Sequence, residues 1–102
     1  MTTVRYTVEA QQDLQAIFQY LDEKNPQAAR TVISRIQNSA MNLEMWPELA
    51  PSANEYGGRK LPVPGLPYVI GYAYEEDTDR VEIIGIFHTA QEVERKRQDA
   101  TP

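Results

Sequence analysis

The chain has 102 residues, 10 basic and 15 acidic side chains, a net charge of -5, a hydrophobic fraction of 41% and no cysteine. That length suits a single domain over residues 1–102, with apolar material enough for a packed core. Disulfides and thiolate metal sites are excluded, no apolar run is long enough for a membrane helix, and no apolar secretory segment follows Met1, so a soluble cytoplasmic protein is expected.

Val4, Tyr6 and Val8 alternate with polar residues, the pattern of a short half-buried strand. Thr7 or Glu9 then opens a helix. Its apolar stripe is Ala10, Leu14, Ile17, Phe18 and Leu21, with Gln11, Gln12, Asp13, Gln15, Gln19 and Asp22 on the other face. Asn25 is a suitable N-cap and Pro26 fits the first position of a second helix, where no N–H is needed. Ala29, Val32, Ile33, Ile36, Ala40 and Leu43 form that helix's stripe, and Pro47 stops it near Met45. So short a connection predicts an antiparallel helical hairpin.

Residues 46–58 read as a loop rich in proline, alanine, asparagine and glycine. Residues 59–63 predict a short strand limited by Pro62 and Pro64, which have no N–H to donate. Residues 67–75 predict a strand with Tyr68, Ile70, Tyr72 and Tyr74 on one face. A polar turn at 76–79 leads to a strand over 80–88. Its alternation puts Val81, Ile83 and Phe87 on one face and Ile84, Ile86 and His88 on the other. Residues 89–102 predict a charged tail or short helix. The fold class is α+β, in the order β-α-α-β-β-β. The helical hairpin covers one face of a small antiparallel β-sheet, because neither layer can bury its apolar side alone.

Most catalytic templates fail on residue types. His88 is the one histidine, no serine has a nucleophile context, and Gly57-Gly58 lacks the lysine and hydroxyl of a phosphate loop. No metal or cofactor is expected. Residues 1–50 carry 4 basic and 6 acidic groups, and residues 51–102 carry 6 and 9, so neither half offers phosphate the charge that drives nucleic-acid binding. What remains is Arg59, Lys60, Tyr68, Tyr72, Tyr74 and His88 on the late strands. An arginine binds phosphate, a histidine moves protons near neutral pH and a tyrosine stacks on bases, a set able to cut RNA by metal-free acid–base chemistry. The plainer assignment is that the tyrosines pack on the helices, Arg59 pairs with a carboxylate and His88 is a hydrogen-bonded strand end.

The ordered pieces carry a resemblance. They are VRYT at 4–7, AQQDLQAIFQYL at 10–21, NPQAA at 25–29, LEMWP at 43–47, GRKLPV at 58–63, then YVIGYAYE and VEIIGIFH, together covering about residues 4–88. This set resembles the ParE/RelE superfamily, the toxins of bacterial type II toxin–antitoxin modules, also called plasmid stabilisation proteins. The resemblance implies the fold derived above and a cognate antitoxin that wraps the helices, covering apolar positions such as Leu14, Phe18, Ile33 and Tyr68. A homodimer or a toxin–antitoxin hetero-oligomer is the implied assembly. ParE-like members poison DNA gyrase. RelE-like members enter the ribosome and cut mRNA, and here such a nuclease would use Arg59, His88 and Tyr72 as its catalytic residues. Many members carry arginines where this chain has Val69 and Ala73, and a glycine and a basic residue after the final histidine, where it has Thr89-Ala90-Gln91. Those departures and the acidic charge favour the ParE-like branch, a gyrase-binding protein and not an enzyme. The alternatives are a RelE-like ribosome-dependent endonuclease or a non-toxic relative.

Overall fold

The computed structural model describes residues 1–52 and 58–90. The predicted tail therefore lies outside the described residues, except Thr89 and Ala90, which begin a helical turn, and the predicted 46–58 loop lies partly outside them. The elements are β1 (Thr3–Tyr6), α1 (Val8–Lys24), α2 (Pro26–Met41) with a 3₁₀ turn at Asn42–Glu44, β2 (Arg59–Pro62), β3 (Tyr68–Glu75) and β4 (Arg80–His88). No helix among the described residues is long and apolar enough to cross a membrane.

Local chemistry sets the boundaries. The Thr7 hydroxyl accepts the N–H of Ala10 at 3.1 Å and caps α1, so Val8 belongs to the helix and β1 stops at Tyr6. Asn25 serves both helices. Its backbone N–H donates to the Leu21 carbonyl at 2.7 Å, closing α1, while its side chain accepts the Ala28 N–H at 3.1 Å and Pro26 starts α2. The two helices consequently turn back on each other with no intervening loop. At the far end of α2, the N–H groups of Met45 and Trp46 both reach the Asn42 carbonyl, tightening the last turn ahead of Pro47.

The sheet order is β1-β4-β3-β2. Strands β2, β3 and β4 run antiparallel, as expected. Strand β1 lies parallel to β4, from Thr3 opposite Arg80 to Tyr6 opposite Ile83, so the sheet is mixed. Alternation in β1 marks a buried face and carries no information on direction, which here follows from the helical hairpin carrying the chain across the sheet. Gly65 at φ +75 turns β2 into β3, and Asp79 at φ 50 occupies the left-handed region in the turn before β4, which aspartate tolerates.

Ala10, Ile36, Ala40 and Leu43 from the helical layer meet Ile70, Tyr72, Val81, Ile83 and Ile86 from the sheet, all within 4% of complete burial. A β-bulge shifts the β3–β4 register. Gly71 faces Gly85, but Tyr72 faces Ile83, leaving Ile84 without an opposite residue. The extra residue exchanges the faces of the strand. Ile86 joins Val81 and Ile83 in the core, Ile84 is 47% exposed, and Phe87 falls outside the core cluster. This corrects the faces expected from simple alternation, which grouped Phe87 with Val81 and Ile83.

Candidate partner-binding site

The positions 16, 17, 20 and 21 form one side of α1. They bring Ala16, Ile17, Tyr20 and Leu21 over the start of β3 and the end of β4. With Pro67, Tyr68, Ile86 and His88 they line a groove of about 490 Å³. Its floor is aliphatic, and among the described residues its polar side chains are two phenols and an imidazole. Lys24 donates to the Tyr20 hydroxyl at 2.8 Å and stands 4.3 Å above that ring, a cation–π contact that holds Tyr20 upright at the rim. Tyr68 and His88 meet edge to face, with centroids 5.4 Å apart and planes at 84°. Burial, then the neighbouring Tyr20, holds the Tyr68 phenol above its ordinary pKa, so it stays a neutral donor. His88 Nδ1 accepts the Ala90 N–H at 3.1 Å.

The groove is positioned by α1 at its other end. Beyond Tyr6, β1 no longer covers the outer edge of β4, and α1 takes over. The Thr7 N–H donates to the Ile83 carbonyl at 3.0 Å and its hydroxyl to the Ile84 carbonyl at 3.2 Å. Asp13 Oδ2 accepts the Ile86 N–H at 3.0 Å. Asp13 is thus half-buried against the sheet, a correction to its expected place on the outer face of α1. A short polar side chain among glutamines gives no sign of this role. Its place just before Leu14 in the helix stripe is the one signal present.

The residues singled out from the sequence divide between two ends of β3. Arg59 lies opposite Tyr72, and both act on Ala50. The Arg59 guanidinium donates to the Ala50 carbonyl at 2.6 Å, and the Tyr72 hydroxyl accepts the Ala50 N–H at 3.1 Å. Tyr72 is fully buried. His88 lies opposite Tyr68, four residues along β3, about 13 Å away at the rise of an extended strand. The structure therefore brings Arg59 and Tyr72 together on a backbone peptide and leaves His88 at the groove. Of the four positions expected to meet an antitoxin, Tyr68 lines the groove. Leu14 packs against the core, and Phe18 and Ile33 are half-buried on the two helices without lining the groove.

Arranged this way, the site can seat two or three apolar side chains of an extended or helical segment, with Tyr20, Tyr68 and His88 as hydrogen-bonding rim groups. Comparison with known proteins gives a consistent set. A family model described as the ParE toxin of the type II toxin–antitoxin system parDE matches residues 4–93. Y4kP of Sinorhizobium fredii (strain NBRC 101917 / NGR234), provisionally named a toxin, is 29% identical over 89 residues, which is 87% of this chain and 90% of that protein. Among solved structures, a chain of the chromosomal ParDE system from P. aeruginosa superposes with a TM-score of 0.76 at 19% identity, over 86% of this chain and 96% of that one. A chain of the RelBE2 toxin–antitoxin complex from Mycobacterium tuberculosis superposes with a TM-score of 0.63 at 21% identity, over 85% and 96%.

Proposed function

This chain belongs to the ParE toxin family of type II toxin–antitoxin systems, and we propose that it acts by gripping proteins: it inhibits DNA gyrase and is silenced by a cognate antitoxin seated in the α1–β3–β4 groove. The observation that carries the reading is the family match over residues 4–93. Four further features support it. The net charge of -5 removes the counterion-release gain that docking on ribosomal RNA would supply. Arg59 and Tyr72 are engaged on Ala50, and the Tyr72 hydroxyl is closed to solvent. The groove offers an apolar floor to an antitoxin segment, and two solved neighbours come from toxin–antitoxin systems.

The test is induction of the full chain in bacterial cells, with DNA supercoiling, the DNA-damage response and mRNA primer extension read from one culture. Gyrase inhibition gives relaxed or broken DNA and intact mRNA, and co-expression of the antitoxin restores growth. Cut mRNA with intact DNA assigns the chain to the RelE-like endonuclease reading. His88 favours that second reading, being exposed at the groove rim, and His88→Ala would then abolish toxicity. Unaltered growth on induction identifies a non-toxic relative.

A further inference from the structure

Away from the groove, the end of α2 presents apolar side chains to solvent. Met41, Met45, Trp46 and Leu49 are 58%, 61%, 63% and 49% exposed. Met41 ends α2, and Met45, Trp46 and Leu49 follow it along a path of tight turns, with the Leu49 N–H donating to the Trp46 carbonyl at 3.0 Å. The shelf is held at both ends. Asn42 ties down Met45 and Trp46, and Arg59 and Tyr72 clamp Ala50 immediately after Leu49. Large apolar side chains exposed on a fixed backbone are the mark of an interaction surface whose ordering cost has already been met. Methionine, with its flexible thioether, suits such a surface.

Glu44 and Glu48 are the charged side chains within the shelf, and along the sequence no lysine or arginine occurs between Arg35 and Arg59, whose guanidinium is held on the Ala50 carbonyl. Glu48, Glu76 and Asp79 stand close enough to Tyr74 for their charges to hold its phenol up, after burial and the Asp79 hydrogen bond. A second copy of the chain would bring the same two glutamates, Glu44 and Glu48, into one interface from both sides. The chain's residues 91–102 are basic in part, but Val93, Ala100 and Pro102 are their only apolar side chains, too little to cover a tryptophan and two methionines.

We propose that the Met41–Met45–Trp46–Leu49 shelf is a second docking surface, distinct from the groove, for a protein segment whose two or three large apolar side chains are flanked by lysine or arginine. Arg59 and Tyr72 are its positioning residues. The assignment is independent of whether gyrase is the target.

Trp46 is the only tryptophan, so its emission reports this surface alone. The full chain is titrated with a synthetic amphipathic Leu/Lys helical peptide and with its Leu/Glu counterpart. The expected result is a saturable blue shift with Leu/Lys, about tenfold tighter than with Leu/Glu, and an inverted preference in the Glu44→Lys/Glu48→Lys variant. Glu48→Lys alone carries the same test should the double variant unfold. Emission unchanged by Leu/Lys, equal affinity for both peptides, or an unaltered preference in the lysine variants overturns the proposal. A blue shift that grows with protein concentration alone assigns the shelf to a second copy, and one lost on truncation after Ala90 assigns it to the chain's own terminus. Either result also overturns it.

Discussion

The Asp13 carboxylate on α1 accepts the backbone N–H of Ile86 on β4 at 3.0 Å. One side chain thereby ties the helical layer to the sheet edge that β1 leaves uncovered, next to the bulged Ile84. A part-buried amide left without an acceptor costs about 1–3 kcal/mol. Asp13→Ala is expected to lose that much in urea unfolding followed by circular dichroism, and Asp13→Asn less, since its carbonyl still accepts. An unchanged midpoint in Asp13→Ala would remove the bond from the account of stability.

Phe87 crosses the two facing glycines. A Cβ on Gly71 would lie 2.9 Å from its ring, and one on Gly85 would lie 2.7 Å from the ring and 3.1 Å from Asp13 Oδ2. Gly71→Ala and Gly85→Ala should each cost about 1–3 kcal/mol through overpacking, with Gly85→Ala the worse because it also presses on the Asp13 carboxylate. Adding Phe87→Leu to Gly71→Ala should recover part of the loss. Strictly additive costs in that double-mutant cycle would show that the ring is not the obstacle.

The Ala50 clamp separates a structural role from a chemical one. Arg59→Ala and Tyr72→Phe should each lower stability by about 1–2 kcal/mol, the second by stranding a buried N–H. Both should speed hydrogen exchange at Ala50 and change Trp46 emission. Any fall in toxicity should follow the loss of folded protein. Variants with wild-type stability and exchange, yet no toxicity, would give these residues a direct part in toxicity.

Asp79 gives the acid limb of the stability curve a defined contributor. The Thr2 hydroxyl donates to its Oδ1 at 2.7 Å and the Tyr74 hydroxyl at 3.1 Å. Thr2 foremost, then Tyr74 and the N-terminal amino group, hold its carboxyl below its ordinary pKa. A carboxylate depressed in the folded state stabilises fully above its unfolded value, about pH 4, and that stabilisation is lost as pH falls through the folded value. Thr2→Val should therefore move the Asp79 titration, read by carboxyl NMR, toward higher pH. Tyr74 behaves in the opposite sense. Its raised phenol contributes below about pH 10 and the contribution fades as pH rises through the folded value.

Caps and periodicity carried most of the fold. Thr7, Asn25 and Pro26 are local signals, read correctly because each acts on N–H groups within three residues. The alternating tyrosines of β3 were equally plain. The direction of β1 was not, because pairing with a strand 77 residues later leaves no local trace. The bulge at Ile84 was hidden for a related reason: it is a property of the β3–β4 pair, and either strand alone alternates well. Of the candidate site, Tyr68 and His88 could be named in advance. Ile17 and Leu21 read as ordinary helix stripe and Ala16 was not singled out, since apolar residues look alike whether they face a core or a groove.

The parallel seat of β1 beside β4 has a consequence for biogenesis. The first strand to leave the ribosome finds its partner only after residues 80–88 have been made, so the sheet closes last at its earliest-made edge. A contact of such long range slows folding. A growing chain of this fold would stay unfinished through most of translation, until the last strand slots home.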